Sequence, residues 1–587
     1  MVVFFFLLLF QALLSPGQVV QTALTGTPAI SITFTPILDG TQTPRLNVAL
    51  LLHAPVTSAN SSLVELPIAI GNVPTQAYNT TNPILAEDDL GSLRLMFKDD
   101  PERQLRRWYA TRPSIGDVRL ALTAFPRVVD NDTPIGPRLD LRAFGNGLLG
   151  AGLSVLPLPP DVESTYRIGL CWDLSRTARK TVFASSFGEN DCEELNDKLQ
   201  ALQMLVFAVG NNLQRHPAKS TNPDFGLFHF RQSGHIIPFD VPALSHYIGS
   251  VHAHFSTFFT PSIKEPYRVF LRPSPRAFGG AGFKQAFMLE YHEKVDVNTL
   301  ELQDLLAHEI VHNWPIMNFS QNKSLSAIDA KAENTWFNEG IATYYATFLP
   351  FRLGLESRET FVAKIDRAVQ AYYTSPSRHL SNVEAAKVMW INPDAQRLPY
   401  FRSTIYFIRL AYILHEERAV SGRGATLDDL VRKLLDCRRH GLQHDLSTWQ
   451  SLVSQELGAD VAQLEYAAMA SGGHDMLVPQ ACSLEYFGLE LKPVHQEELQ
   501  LGFAKSSLDS HIITDLIPDS RAQEAGIREG DQIVEAKTMY WQVADDISRN
   551  MTLLIRRRSH ADVFNISYWP RAKQKLPSWQ VTDRTPT

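Results

Sequence analysis

His308-Glu309-Ile310-Val311-His312 is the most informative stretch of this 587-residue chain. Residues four apart lie on the same face of a helix, so His308 and His312 would point the same way. Two imidazoles in that arrangement can share one Zn²⁺, and Glu309 between them can act as a general base toward water. The pentapeptide therefore predicts a catalytic zinc site. The alternative is a chance match, which turns up in roughly a few per cent of chains this long.

The sequence around the motif favours a helix. Asn298, with Glu301 three positions later, is typical of a capped helix start. Apolar residues then recur at helical spacing, at Leu302, Leu305, Leu306 and Ile310. Because proline cannot continue a helix, Pro315 predicts a helix end just beyond the motif.

A third metal ligand is predicted at Glu339. It lies near the start of a second stretch that reads as a helix, Trp336–Tyr345 (WFNEGIATYY). Two His and one Glu leave the fourth tetrahedral position open for water, as catalytic zinc requires and structural zinc does not. Thr343, one turn beyond Glu339, is a candidate for orienting a ligand His, with an ordinary helix-surface residue as the alternative.

These two segments resemble the glycyl aminopeptidase family of gluzincin metallopeptidases. The resemblance is carried by His308–Trp314 (HEIVHNW) and by Trp336–Tyr345, and it extends over most of the chain. It implies a thermolysin-like catalytic core that binds Zn²⁺. The segment Leu398-Pro399-Tyr400 resembles one whose phenol stabilises the oxyanion in related aminopeptidases. Tyr400 is therefore expected to be catalytic, with a core tyrosine as the alternative.

The stretch Gly279–Phe283 (GGAGF) departs from the pattern of the family. The family carries Gly-Gly-x-Glu-His on the edge strand of its active site, and the Glu anchors the free amino terminus of the substrate. Here Gly282 stands in place of that Glu, and Phe283 in place of the His. Gly279-Gly280 is still expected to bind substrate backbone, but recognition of the amino terminus is expected to be altered. Glu290 could replace the anchor only if the strand were placed differently.

The chain is predicted to be a multidomain α+β protein. The resemblance and the spacing of apolar residues together divide it into an N-terminal β-domain (28–165), a thermolysin-like catalytic domain (166–350) and a helical domain (351–480). A PDZ-like domain (485–572) is expected to follow.

The PDZ-like domain is indicated by two stretches. Gln500-Leu501-Gly502-Phe503 resembles a carboxylate-binding loop, in which backbone N–H groups around Gly502 and Phe503 would capture a peptide carboxyl terminus. Ser520–Asp531 resembles the short helix and Gly-Asp turn of such domains. A module that only packs against the catalytic core is the alternative. The polar tail after Pro570 is predicted to be loose.

Composition excludes some classes of function. Charged residues make up 20% of the chain and hydrophobic residues 44%, as in ordinary globular proteins. A net charge of −7 gives no electrostatic footprint for nucleic acid. Beyond the first residues no apolar run reaches membrane-spanning length, so no stable membrane anchor is expected.

Residues 1–17 are predicted to be a signal peptide, because the apolar run is short and ends at small residues. No Lys or Arg precedes it, so a buried first strand is the alternative. N-x-S/T sequons lie at Asn60, Asn79, Asn131, Asn318, Asn322, Asn550 and Asn565. They predict a glycoprotein that is secreted or lies in the lumen of the secretory pathway. The four cysteines, Cys171, Cys192, Cys437 and Cys482, permit two disulfides in three pairings, or free thiols.

The sequence predicts a zinc-dependent peptidase that acts on peptide or protein substrates, aminopeptidase-like but with altered amino-terminus recognition. Glu309 would take a proton from the attacking water and pass it to the leaving amine. Tyr400 would donate a hydrogen bond to the oxyanion. Two alternatives stay open: a zinc endopeptidase, and a non-catalytic protein that binds peptides through the PDZ-like domain.

Overall fold

The computed structural model describes residues 29–584 except for several internal segments. These segments are 39, 41–42, 56–60, 131–132, 134–135, 163, 232–233, 235, 262–264, 276–277, 294–298, 319–326, 390, 473–483 and 558–561. The predicted leader (1–17), the helix cap at Asn298 and Cys482 therefore lie outside the described residues. So do the sequons at Asn60, Asn131 and Asn322.

The chain divides into two compact units, Val2–Glu293 and Lys294–Thr587. The N-terminal unit is built mostly of strands. They are β1 Ala29–Ile37, β2 Arg45–His53, β3 Val64–Pro67, β4 Ala69–Ile70, β5 Val73–Pro74, β6 Leu85–Asp88, β7 Gly91–Ser92, β8 Leu95–Asp100, β9 Leu105–Ala110, β10 Val118–Ala124, β11 Arg142–Ala143, β12 Gly147–Ala151, β13 Thr165–Trp172, β14 Val182–Ser185, β15 Cys192–Lys198, β16 Val206–Gly210, β17 Leu213–His216, β18 Phe225–Phe230, β19 Tyr267–Pro273, β20 Gly279–Phe283 and β21 Ala286–Tyr291. Its helices are α1 Gly152–Val155, α2 Gln200–Gln203 and α3 Val241–Phe259.

The largest sheet of this unit has the strand order β15-β13-β1-β2-β10-β6-β7. Every second residue of β1 enters the core, with Ile30, Ile32 and Phe34 buried, because side chains alternate between the faces of a strand. β1 pairs in parallel with β13, and Ala29 lies opposite Arg167. The sheet therefore continues past the predicted boundary at residue 165. Main-chain pairing joins residues on the two sides of that boundary.

Cys171 and Cys192 form a disulfide between the neighbouring strands β13 and β15. Cys437 is a free thiol in the structure. The described residues thus contain one of the disulfides that the sequence permits.

The predicted edge strand is present as β20. The sheet order β17-β18-β19-β21-β20 places it at one edge, where β21 is its partner. Gly280 is required by close packing, because a Cβ there would lie 1.9 Å from the Phe287 ring. A four-stranded sheet, β11-β12-β16-β14, a three-stranded sheet, β3-β9-β8, and the pair β4-β5 complete the unit.

The C-terminal unit begins with helices and ends with a small β-rich module (489–583). Its helices are α4 Thr299–Val311, α5 Ala327–Arg352, α6 Arg358–Tyr373, α7 Asn382–Val388, α8 Pro393–Ser421, α9 Leu427–Arg439, α10 Leu446–Leu457, α11 Ala459–Ser471, α12 Ser507–Ser510, α13 Arg521–Glu524 and α14 Tyr540–Asp545. Its strands are β22 Leu489–Leu499, β23 Gln532–Ala536, β24 Met551–Arg556, β25 Val563–Tyr568 and β26 Arg571–Asp583.

The long helices α5 and α8 pack tightly against each other. A Cβ at Gly340 would lie 2.2 Å from Cβ of Ser403, so glycine is needed where the two helices meet. Aromatic rings fill the space beside this contact, and Trp336 stacks on Phe407 at 5.9 Å between ring centroids. This close approach places Glu339, the neighbour of Gly340, beside α8.

The residues after Pro570 form the long strand β26, which pairs antiparallel with β22. The prediction of a loose tail is therefore wrong. Only Arg571, Ser578 and Val581 of this strand are buried and its other residues are exposed or half-buried, so its sequence lacks the apolar alternation that marks a strand. Among the described residues, no helix is long and apolar enough to cross a membrane. The architecture is multidomain α+β, and the predicted domain boundaries stay predictions.

Candidate active site

His308, His312 and Glu339 come together in the C-terminal unit. Nε2 of His308 lies 3.1 Å from Nε2 of His312 and 3.1 Å from Oε2 of Glu339. Nε2 of His312 lies 3.8 Å from the same carboxylate oxygen. His308 lies in the last turn of α4, His312 directly follows the last residue of that helix, and α5 supplies Glu339. All three side chains are buried.

Both imidazoles are neutral at physiological pH. Burial lowers the pKa of His308 to about 3, and the nearby Arg397 acts in the same direction. Burial likewise lowers the pKa of His312 to about 3, although Glu339 opposes the shift. Each ring therefore carries one proton and one lone pair, as a metal ligand requires.

Thr343 determines which nitrogen of His308 carries the proton. The hydroxyl of Thr343 donates to the carbonyl oxygen of Glu339 at 2.8 Å, which uses its only proton. The hydroxyl oxygen must therefore accept a hydrogen bond from Nδ1 of His308, 3.2 Å away, so Nδ1 carries the proton. The lone pair of His308 is left on Nε2, the atom that faces His312 and Glu339.

The arrangement fits a divalent metal ion. Lone pairs of buried nitrogen and oxygen atoms meet within 4.8 Å of one another and would repel without a cation between them. Tetrahedral zinc with bonds of about 2.0–2.2 Å needs ligand atoms about 3.4 Å apart, close to the observed distances. His308, His312 and Glu339 are therefore the residues that would hold the ion.

Glu309 is buried beside this cluster, with 4% of its surface exposed. Its Oε2 has no hydrogen-bond partner among the described side chains and backbone. Burial raises the pKa of Glu309 well above its ordinary value, and the nearby Glu339 adds to the shift. A buried carboxyl group with an unused oxygen suits a group that exchanges protons with a water or substrate.

Tyr400 projects from α8 toward the same cluster. Its ring stacks on the ring of His308 at 5.4 Å between centroids. Burial raises the pKa of Tyr400 well above its ordinary value, so the phenol keeps its proton. A hydrogen bond from Tyr400 lowers the pKa of Glu339, although burial raises that pKa more strongly. The structure thus brings together five residues singled out in the sequence, His308, Glu309, His312, Glu339 and Tyr400.

Residues 301–406 match the family model of the M61 glycyl aminopeptidases. This segment is a gluzincin peptidase domain. The match begins in α4 and ends in α8, so the M61 domain contains all five clustered residues. The family resemblance seen in the sequence is thereby confirmed.

A solved structure shares the fold of the chain. An aminopeptidase N family protein from Idiomarina loihiensis is 14% identical, with a TM-score of 0.61, and the alignment covers 95% of this chain and 98% of that one. At this identity the likeness concerns the fold alone. An M1 zinc metallopeptidase from Deinococcus radiodurans is 16% identical over 77% of this chain and 95% of its own, with a TM-score of 0.45. A leukotriene A4 hydrolase from Saccharomyces cerevisiae is 11% identical over 76% and 68%, with a TM-score of 0.44. No curated protein matches the chain.

Arg397 lies beside the site in the M61 domain and is not predicted from the sequence. Its guanidinium carbon is 4.3 Å from the centroid of the Tyr400 ring, and its Nε donates to Asp545 at 2.9 Å. The spacing of Arg397 and Tyr400, three residues apart on one helix, was the available signal. Asp545 carries no such signal, because it is 148 positions away in the sequence.

Glu290 is not available as an anchor for a substrate amine. It belongs to the N-terminal unit and is buried in β21, opposite Gly279 of β20. Its carboxylate contacts three guanidinium groups, those of Arg138, Arg142 and Arg272. Burial raises the pKa of Glu290, but the arginines outweigh it and the pKa is lowered. The suggestion that Glu290 replaces the missing anchor is therefore wrong. Gly279-Gly280 lies in the same unit, and its role stays a prediction.

Gly502 and Phe503 lie in the β-rich module beyond the M61 domain. Gly502 has a φ of +88°, and a Cβ there would lie 2.6 Å from Cβ of Ala522, so both conformation and packing require glycine. Phe503 is buried in the core of the module with Leu501. Helix α12 begins at Ser507, four residues beyond Phe503. Peptide binding at this loop stays a prediction.

Proposed function

We propose that this protein is a zinc-dependent peptidase that hydrolyses peptide bonds and resembles an aminopeptidase with altered recognition of the substrate amino terminus. One observation carries the proposal. The three lone-pair atoms of His308, His312 and Glu339 converge beside a buried Glu309 whose Oε2 has no partner among the described residues. A catalytic metal site needs such a ligand set and a base beside it.

Zn²⁺ held by His308, His312 and Glu339 would polarise the scissile carbonyl and acidify the attacking water. Glu309 accepts a proton from that water as its oxygen bonds to the carbonyl carbon. Glu309 then delivers the proton to the amine nitrogen as the carbon–nitrogen bond breaks. The raised pKa of Glu309 suits both transfers, because the group must be able to hold the proton between them.

Tyr400 stabilises the oxyanion of the tetrahedral intermediate by donating its phenol proton in a hydrogen bond. The raised pKa of Tyr400 keeps that proton on the phenol. In the structure the phenol bonds to Glu339 instead, so Tyr400 exchanges this partner for the oxyanion as the tetrahedral intermediate forms.

Substrate recognition is proposed to differ from that of an ordinary aminopeptidase. Gly279-Gly280 of the edge strand β20 binds substrate backbone by strand addition. Gly282 provides no carboxylate for the amino terminus, and Glu290 is committed to three arginines. Internal bonds of longer peptides are then also substrates, which makes an endopeptidase the second candidate function.

A panel of peptides tests the proposal. Purified protein is incubated with an unblocked peptide and its amino-terminally acetylated form, each with and without a chelator, and products are identified by mass spectrometry. Release of amino-terminal residues supports an aminopeptidase, and internal fragments support an endopeptidase. No cleavage of any peptide, with zinc added, would favour the non-catalytic alternative, in which the PDZ-like module binds a peptide ligand through Gly502 and Phe503.

The proposed compartment is the secretory pathway or the outside of the cell. The Cys171–Cys192 disulfide supports it, since such bonds persist in oxidising compartments. The sequon residues Asn550 and Asn565 are exposed and therefore accessible to glycosylation. Protein from secreting eukaryotic cells should lose mass on enzymatic deglycosylation, and the loss should shrink in the N550Q and N565Q variants. An unchanged mass and a cytosolic location would contradict the proposal.

A further inference from the structure

Asp394 is a buried carboxylate at the beginning of α8, with 3% of its surface exposed. Its backbone N–H donates to Asn392 Oδ1 at 3.0 Å, which completes the cap of the helix. Its two carboxylate oxygens accept from the ammonium group of Lys505 and from the phenol of Tyr540. Both donors belong to the β-rich module, so charge and hydrogen bonding join that module to the first turn of α8.

A second bond joins the module to α8 one turn later. Asp545 at the end of α14 accepts both donor groups of the Arg397 fork, with Nε at 2.9 Å. Arg397 in turn lies over the rings of Tyr400 and Phe401, at 4.3 and 5.3 Å. Because the ion pair is largely buried, little water competes with it. The position of Arg397, and with it one face of Tyr400, is thus set by Asp545.

A small cavity lies where the module meets these helices. A cavity of about 10 Å³ remains among α6, α8, β22 and α14, room for about one water molecule. The N–H of Leu499 donates to the carbonyl oxygen of Thr374 at the end of α6, at 2.9 Å. The zinc-ligand helix α4 is joined as well, since Arg549 and Gln542 both donate to Glu301.

The carboxylate of Asp394 also bears on what the module can bind. Lys505 follows the loop at Gly502-Phe503 by two residues, and Tyr540 begins α14. Residues 507–510 form α12, so this part of the described chain offers no strand edge for an added peptide strand. Lys505, two residues beyond the loop, is paired with the carboxylate of Asp394, a residue of the chain itself.

We propose that the β-rich module (489–583) clamps the first turns of α8 and thereby positions Tyr400 for catalysis. Asp394 is its internal ligand, and Lys505, Tyr540 and Asp545 are positioning residues. The inference rests on the proposed catalytic role of Tyr400. This role differs from binding of a peptide carboxyl terminus by the module, because the bound carboxylate is Asp394 of α8.

Kinetics with two clamp variants test the proposal. D545N and K505M each remove one charge of the clamp while zinc ligands and Tyr400 are unchanged. With a peptide that the wild-type protein cleaves, kcat should fall by about 10- to 100-fold, with KM within about twofold, since misplacement of a transition-state donor acts on kcat. Zinc content per chain should be unchanged. K505M is the milder change, because Lys505 is 33% exposed.

A double-variant comparison separates positioning from general loss of structure. If Asp545 acts through Tyr400, D545N should lower kcat no further in a Y400F background. D583N serves as the matched control, because Asp583 also joins the module to a helix, through Arg358 of α6, but not to α8. It should leave kcat unchanged. Equal losses of kcat in D583N and D545N, or full additivity with Y400F, would overturn the proposal.

Amide hydrogen exchange provides a readout that does not depend on activity. D545N and K505M should raise exchange in residues 393–401, and D583N should not. Unchanged exchange there in both clamp variants would overturn the clamp itself. Raised exchange with no peptide cleavage by the wild-type protein, or with no effect of Y400F on kcat, would instead refute the proposed function and leave the clamp standing.

Discussion

Thr343 holds His308 in the tautomer that a metal ligand needs, with Oγ1 of Thr343 3.2 Å from Nδ1 of His308. T343V keeps the shape of the side chain but removes the acceptor. We expect zinc affinity to fall by about 10- to 100-fold, as for other residues that orient metal ligands. Competition with a chelating dye measures the affinity. T343S is the control and should bind zinc like the wild type. If T343V also bound zinc with wild-type affinity, Thr343 would have no orienting role.

Removal of one hydroxyl group tests the role of Tyr400. Y400F should lower kcat by about 10²- to 10³-fold with little change in KM, because the donor acts mainly in the transition state. Steady-state kinetics on one peptide measures both constants. Tyr406 lies on the same helix, and its buried phenol oxygen accepts from Trp449 at 3.3 Å. Y406F should therefore leave kcat unchanged, and a Y400F enzyme with wild-type kcat would make Tyr400 an ordinary core residue.

The glycine at position 282 should relax the requirement for a free amino terminus. We expect wild-type kcat/KM to be similar for a peptide and its acetylated form. G282E should then favour the free amine by about 10-fold or more, since a charge-assisted hydrogen bond is worth about 1.5–3 kcal/mol. G282Q is the uncharged control of similar size. A strong wild-type preference for the free amine, or no difference between G282E and G282Q, would contradict the placement of Gly282 at the position of the family's anchoring Glu.

Acid should destabilise the N-terminal unit through Asp140. Burial alone would raise the pKa of Asp140, but Arg272 and Arg142 lower it from 3.8 to about 2. A lowered folded-state pKa means that this stabilisation is present above the unfolded value and is lost as pH falls from about 4 toward 2. The loss amounts to about 2 kcal/mol. Urea unfolding across this range should show a smaller dependence on pH in D140N, and equal slopes for both proteins would contradict the assignment.

Local spacing made the centre of the site predictable. The four-residue spacing of His308 and His312 predicts that both side chains point the same way. Glu339 and Thr343, one helical turn apart, lie in one short stretch of sequence. Family resemblance added Tyr400. Gly340 belongs to the same stretch, but the need for glycine there is seen only in the structure, where α5 meets α8 at Ser403.

Contacts between distant parts of the chain were not predictable. Asp545 pairs with Arg397, and Lys505 with Asp394, over 148 and 111 positions. No local pattern encodes such pairs, since both partners read as ordinary surface charges. The strand after Pro570 was missed for a related reason. Its pairing with β22 is made by the main chain, while few of its side chains are buried.

The most direct test measures bound zinc and peptide cleavage on the same samples of wild-type protein, E309Q and E339A. We predict about one zinc per chain in the wild type and in E309Q, with cleavage nearly abolished in E309Q because an amide cannot accept the proton of water. E339A should lose both zinc and activity. Chelation should abolish wild-type cleavage, and added zinc should restore it. Active wild-type protein that contains no zinc, or an E309Q enzyme with the wild-type rate, would contradict the account.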